Sequence, residues 1–511
     1  MTIDNDKKTS LAKGWSEVKL EELGFTKAQS IKPADEPNEE FELWSVPSYP
    51  TNKPEIQLGK DIGSNKIIVQ ADDVLLCKIN PRINRVWKVR YKKENKQIAS
   101  TEWIVFRTGY VDSDFFRYRL MEPSFRQEIC SNVSGVGGSL TRARPQIVKE
   151  VKVSIAPLPE QKRIAKKIET LQKRSKKVKQ ALETAKPLLD KLRQSILASA
   201  FRGDLTADWR KKHPDVEPAS ALLERIRVEH RKKWEENELA KMKAKDKEPK
   251  DNKWKLKYKE PKPIDTTDLP ELPIGWCWAR AEEICDFITK GTTPKKDKMF
   301  SGKGEIPFVK VYNLTFDGSI DFTIDPTFVE RDTHENELSR SKVFPGDVLM
   351  NIVGPPLGKV SIVPNTYLEW NINQAIAIFR PLGGYSPSVL AHHLLRQSVV
   401  SSSVFLSKAT AGQSNLTLEI SRNILIPIIP LEEQHWLGKL LNMNLSITKK
   451  MDEGFNLSLK KIQKLDQSIL SKAFRGELVT QDPSDESASV LLDRIKSEGK
   501  VVKTKKRIKR K

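Results

Sequence analysis

The chain has 511 residues, too many for one ordinary hydrophobic core, so two or three domains are expected. Aliphatic and aromatic residues make up 38%, which excludes a disordered chain, and no run reaches the roughly 18 apolar residues of a membrane span. The 89 Lys+Arg against 67 Asp+Glu leave a net charge of +22, which points to a polyanionic partner, because each neutralised phosphate releases condensed counterions.

The opening residues, Met1 to Leu11, are polar and lack an apolar stretch of signal-peptide length, so a soluble, cytoplasmic protein is expected. Cys77, Cys130, Cys277 and Cys285 form no C-x-x-C pair and have no histidine at a zinc spacing. They read as reduced, structural thiols, and no metal site is expected.

Residues 1–155 form a first module. Within it Ile67–Ile79 reads as a turn and a buried strand, Gln97–Arg107 as a second strand, and Phe115–Cys130 as a short helical piece. Its polar loops carry Lys78, Asn80, Arg82 and Arg85, then Arg142 and Arg144 at the end of the Gly-rich stretch Gly137–Arg144. Arg and Lys suit guanine edges and phosphates, and Asn suits adenine, so these residues are candidates for DNA contact.

Residues 156–205 read as a long connector helix. Ile164, Ile168, Leu171, Ser175, Val178, Leu182, Ala185, Leu189, Leu192 and Ile196 alternate steps of four and three, the seam of a coiled coil. The helix begins after a proline with Glu160 in its first turn and ends at Arg202-Gly203. Pro187 should kink or split it, at a cost of about 3 kcal/mol. Residues 206–270 read as a basic linker holding an amphipathic helix.

Residues 271–428 form a second module, with strands expected in Ile306–Val311, Pro345–Met350 and Ile372–Phe379 and a helical piece over Pro387–Ser407. Its candidate DNA contacts are Thr292, Thr293, Lys295 and Lys296 in one loop, Gln413 and Asn415 in another. Residues 429–480 give a second connector, whose seam runs Leu437, Leu441, Asn444, Thr448, Met451, Phe455, Ser458, Ile462, Leu465 and Ile469. A basic tail, 481–511, closes the chain.

This order contains a duplication. Pro157-Leu-Pro-Glu-Gln161 returns as Pro430-Leu-Glu-Glu-Gln434, and Ser195-Ile-Leu-Ala-Ser-Ala-Phe-Arg-Gly-Asp-Leu205 as Ser468-Ile-Leu-Ser-Lys-Ala-Phe-Arg-Gly-Glu-Leu478, both 273 residues on. Gly14-Trp15 returns as Gly275-Trp276, and Ala219–Ile226 as Ala488–Ile495. Asp73-Val-Leu and Asp347-Val-Leu hold corresponding places, so one fold should underlie both modules. The connectors are kept while the modules diverge, which points to two related tasks on two different targets. The matched seams are expected to pack on each other, Ile164, Ile168, Leu182, Leu189, Leu192 and Ile196 against Leu437, Leu441, Phe455, Ile462, Leu465 and Ile469. In an antiparallel pair Ser175 would face the level of Ser458, and Thr448 that of Ala185.

Catalysis finds no support. No G-x-G-x-x-G follows a strand, Gly354-Pro-Pro-Leu357 lacks the preceding Asn or Asp of an adenine methyltransferase, and Gly354–Val360 misses a phosphate loop. A self-contained methyltransferase or nuclease, or a coiled-coil scaffold without DNA function, are the rival readings.

With these motifs at these spacings, together with Leu272-Pro-Ile-Gly-Trp276, Gly291-Thr-Thr-Pro294 and Gly346-Asp-Val-Leu349, the sequence resembles the specificity subunit of type I restriction–modification systems. The resemblance covers nearly the whole chain. It implies an α+β fold with two β-rich target-recognition domains separated by a pair of long antiparallel coiled-coil helices, each domain reading half of a split double-stranded DNA target. It implies that the chain is non-catalytic and binds no cofactor itself. Two modification (methyltransferase) subunits using S-adenosylmethionine would dock on it, and restriction/translocase subunits would use ATP and Mg.

Overall fold

The computed structural model describes residues 11–23, 28–90, 95–131, 133–134, 141–245, 249, 251–411 and 415–497. Its contacts divide the chain into two units, Met1–Glu183 with Asn456–Lys511, and Thr184–Phe455. The first unit is thus built from the two ends of the sequence. Both long helices, Leu158–Arg202 and Leu431–Phe474, pass from one unit to the other part-way along.

In the first unit, the wholly apolar run Val74–Cys77 is buried on both faces and forms the middle strand of a three-stranded antiparallel sheet between Val86–Lys88 and Trp103–Phe106. A five-stranded sheet has the order Ser30–Ile31, Lys66–Ile68, Lys96–Ser100, Glu40–Trp44, Glu55–Leu58, with one parallel pair at its centre. The second unit repeats this plan. Val348–Asn351 lies inside a four-stranded antiparallel sheet with Cys285–Lys290, Ile376–Pro381 and Val360–Ile362. A five-stranded sheet again contains one parallel pair, Ile306–Val309 with Trp370–Ile372. The expected short helices are Ser113–Met121 and Pro123–Ser131, then Pro387–Leu394 and Gln397–Ala411. The α+β character read from the sequence holds.

The long helices pack on each other within each unit. In the first, Ile164 and Ile168 near the start of one helix share a core with Ile469, Leu470, Ala473 and Phe474 near the end of the other. In the second, Leu197, Ala200 and Phe201 share a core with Leu437 and Leu441. Start meets end in both cases, so the helices run antiparallel, with Lys186 and Asp452 paired at 3.8 Å. Ser175 and Thr448 are buried, as small residues at close helix approaches should be.

Between these ends the seam does not stay covered. Leu189 is buried and Leu182, Ile196, Phe455 and Ile462 are half-buried, yet Leu192 and Leu465 remain 46% and 52% exposed. A strict 3.5-residue repeat drifts by about 20° per heptad on a helix of 3.6 residues per turn, which rotates parts of the stripe out of the contact. Pro187 does not split the helix, which continues through it. The carbonyl it strands belongs to Glu183, and both residues are exposed, so water can satisfy that oxygen.

The stretch expected as a linker adds to the core of the second unit. Helix Ala219–Lys243 buries Ala219, Leu222, Leu223 and Ile226 there, because that apolar spacing makes one face of a helix. Residues 488–497, in the segment expected as a tail, are also helical and place Ala488 and Leu492 in the core of the first unit.

Candidate nucleic-acid interface

A duplicated set of buried polar contacts holds each module to its helix. The indole of Trp15 donates to both oxygens of buried Glu160 at 3.1 and 3.2 Å, and the indole of Trp276 donates to Glu433 Oε2 at 2.8 Å. Burial pushes the Glu160 carboxyl above its ordinary range, and the indole bond opposes that shift. Gln161 accepts from the Asp112 N–H at 2.9 Å and donates to the Ala156 carbonyl at 2.8 Å. Gln434 does the same with the Ser386 N–H at 2.9 Å and the Ile429 carbonyl at 2.7 Å. The retained Pro-x-x-Glu-Gln motifs are therefore docking elements. The helical segments dock alike: the Ala488 N–H donates to the Gly14 carbonyl at 2.9 Å, the Ala219 N–H to the Gly275 carbonyl at 2.8 Å.

Inside each module a buried aspartate fixes a strand, which in the first module leads into the candidate loop Lys78–Arg85 and in the second is Val348–Asn351. Asp73 takes two hydrogen bonds from Arg107, at 2.9 and 2.7 Å, and Asp347 takes two from Arg380, both at 2.7 Å. Such paired, charge-assisted bonds set orientation as well as energy. This explains why Asp-Val-Leu occurs in both modules.

In the first module the strand Val74–Cys77 opens into Lys78–Arg85. Asn80 has a φ of 46°, a left-handed conformation that asparagine tolerates, and its N–H donates to the Thr141 carbonyl at 2.8 Å. The Ala143 N–H donates to the Lys78 carbonyl at 2.8 Å, and Ile79 bridges to Arg142. These bonds stitch the two candidate loops together, so Lys78, Asn80, Arg82, Arg85, Arg142 and Arg144 belong to one connected surface. Arg82, Arg142 and Arg144 are exposed; Lys78, Asn80 and Arg85 are partly buried. Arg142 pairs with Glu102 at 3.2 Å, and Arg85 donates to the Ile79 carbonyl at 3.4 Å, so both brace the loop. Gly137 to Leu140 lie outside the described residues.

The second module repeats the stitching. Buried Asn351 donates to the Pro356 carbonyl at 2.8 Å and accepts from the Lys359 N–H at 2.7 Å, bracing the loop between its two strands. The Gly354 N–H donates to Asn415 Oδ1 at 3.0 Å, and the Leu416 N–H to the Ile352 carbonyl at 2.8 Å. Asn415 therefore holds the loop, and Gln413 lies outside the described residues. Thr292 is partly buried, while Thr293, Lys295 and Lys296 are exposed on the neighbouring loop. The Thr293 hydroxyl donates to Gln374, and Arg340 donates to Thr292 Oγ1 at 3.4 Å. Sequence reasoning missed Gln374 and Arg340, since neither belongs to a repeated motif.

His334, Glu335 and Glu369 offer ligand atoms within 4.8 Å of one another. Arg331 spans Glu369 and Glu335, Lys342 pairs with Glu335, and His334 Nδ1 accepts from Asn371 at 3.0 Å. Cationic side chains already balance these carboxylates, and the cluster anchors its short helix.

Residues 12–184 match the family described as type I restriction modification DNA specificity domain. The matching family is the one that the repeated motifs resemble. The type I restriction enzyme EcoBI specificity subunit of Escherichia coli is 26% identical, over 75% of this chain and 71% of its own length. The EcoDI specificity subunit of the same organism is 24% identical, over 71% of this chain and 72% of its own length. Among solved structures, the HsdS subunit from Thermoanaerobacter tengcongensis aligns with a TM-score of 0.53 at 20% identity, covering 91% of this chain and 98% of that one. A chain from a structure of the assembly and conformational transition of the type I R-M system aligns with a TM-score of 0.67 at 20% identity, covering 92% and 99%. The matched specificity domain includes the Trp15–Glu160 contact, the Asp73–Arg107 pair and both stitched loops of the first module.

Proposed function

We propose that this chain is the sequence-reading, non-catalytic subunit of a type I restriction–modification complex, each module recognising one half of a split DNA target. The observation that carries this is the duplicated framework. Asp–Arg braces, stitched loops and docking tryptophans recur in both modules, while the polar residues on the loops at or beside this framework differ, Lys78, Asn80 and Arg82 in the first and Thr293, Lys295 and Lys296 in the second. One scaffold with two sets of base- and phosphate-binding side chains is what reading two unrelated half-sites requires. Among the described residues no helix is long and apolar enough to cross a membrane, in keeping with a role on DNA in the cytoplasm. Two modification subunits and the restriction subunits bring the chemistry, with S-adenosylmethionine, ATP and Mg bound by them and no cofactor by this chain.

The test exchanges residues 271–428 for the second module of another family member and maps modified sites across the host genome. The recognised sequence should change in one half only. A change in both halves would show that the modules read jointly.

A further inference from the structure

Gln374 lies at an exposed turn between the strands Trp370–Ile372 and Ile376–Pro381. The turn is held on three sides. The Ile376 N–H donates to the Asn373 carbonyl at 3.2 Å, the Ile352 N–H to the Ala375 carbonyl at 2.9 Å, and the Gly291 N–H to the Ile376 carbonyl at 3.0 Å. Gly291 passes so close that a Cβ there would stand 2.2 Å from the Asn373 carbonyl oxygen and 2.3 Å from that of Ile372. Only glycine lets the Gly291–Thr293 loop lie against this turn.

That approach sets Thr293 beside Gln374, and the Thr293 hydroxyl donates to Gln374 Oε1. With the Thr293 hydroxyl donating to Oε1, the amide is held against the loop. Oε1 keeps one lone pair, and Nε2, which has no protein partner among the described residues, keeps both hydrogens. An acceptor and a donor side by side on a fixed, exposed amide match the N6 donor and N7 acceptor on the major-groove edge of adenine. Arg340 donates to Thr292 Oγ1 at 3.4 Å and secures the same loop from its other side. Preorganisation of this kind distinguishes a reader from a freely rotating surface glutamine.

We propose that Gln374 is a specificity-determining residue of the second module, reading an adenine of the target, with Thr293 as its positioning residue. The inference rests on the DNA-reading function proposed above and names the contact that carries one position of it.

The full chain, purified with the subunits it associates with in its host, would be used to select binders from a randomised double-stranded DNA library. The wild type should enrich a two-part motif. Gln374→Ala should lose one adenine from one half of that motif and bind the original site roughly 10- to 100-fold more weakly. Gln374→Arg should shift that single position towards guanine, and Thr293→Val should relax it partially. Because Gln374 is exposed, the variants should melt with the wild type, which separates lost recognition from lost folding. A wild-type motif left unchanged by Gln374→Ala overturns the assignment while leaving the DNA-reading function intact. Equal weakening on every sequence would make the residue a backbone contact and also overturns it. A wild type that enriches no motif overturns the function and the assignment together.

Discussion

At the scale of single residues, the two tryptophans that meet buried glutamates carry more of the architecture than their positions suggest. Trp15 lies 145 residues from Glu160, so no local pattern could pair them; the repeats showed only that both had been kept. The Asp73–Arg107 and Asp347–Arg380 braces were invisible for the same reason, although the aspartates themselves stood out. The candidate loops were legible from residue type, but their stitching was not, since it uses backbone groups that every residue shares. Replacing Trp15 by Phe removes the donor and leaves a buried carboxylate short of a partner. A loss of about 1–3 kcal/mol in urea unfolding is expected. Glu160→Gln keeps an acceptor without the charge. Burial raises the native pKa of Glu160, so protonation favours the folded state, and the stability held by the protonated form is lost as pH rises through that raised value. Near neutral pH Glu160→Gln should therefore be neutral or mildly stabilising. A loss as large as that of Trp15→Phe would show that the negative charge itself is needed.

At the scale of elements, the helices were the most legible part of the chain, because a period of three and four survives any divergence of the modules. Gly203 and Gly476, with φ of 83° and 76°, take the left-handed conformation just past the end of each one. What the period could not give was which portions are covered, as exposed Leu192 and Leu465 demonstrate. Pro187 sits in an unbroken helix with its missing hydrogen bond turned to water. Pro187→Ala should restore that bond and raise stability by about 1–3 kcal/mol, read as a higher melting temperature. An unchanged or lower melting temperature would mean that the helix is shaped around the ring. If the connectors set the spacing of the half-sites, four extra residues near Ala181, about one turn or 6 Å, should lengthen the unread spacer and leave both half-sites unchanged. An unaltered spacer in the methylation map would assign these helices to partner binding alone.

At the scale of the whole molecule, the two units differ in their response to acid. All six histidines, among them His392 and His393, lie between Thr184 and Phe455. Burial pushes His392 down to about 4 and His393 down to about 3, and His393 donates its Nε2 hydrogen to the Leu425 carbonyl at 2.9 Å. Both are neutral in the folded state, whereas the unfolded chain takes up protons below about 6.5. Stability is thus fully present above pH 6.5 and falls as pH drops towards the folded values, by roughly 1–2 kcal/mol per histidine by pH 5. Hydrogen exchange at pH 7 and 5 should show the second unit loosening while the first does not. Equal protection in both units would refute the assignment. The first unit carries a different liability, set by its discontinuity. Its core needs Ile469, Leu470, Ala473 and Phe474, which follow the 272 residues of Thr184–Phe455 in the chain. At about 5–20 residues per second on the ribosome, that intervening stretch takes roughly 15–50 s to synthesise. Throughout that interval Phe115, Ile164 and Ile168 wait without the far end of the chain. The protein therefore completes its second module before its first, and a ribosome stalled within that stretch releases a chain whose earliest-made module is the one left unfinished.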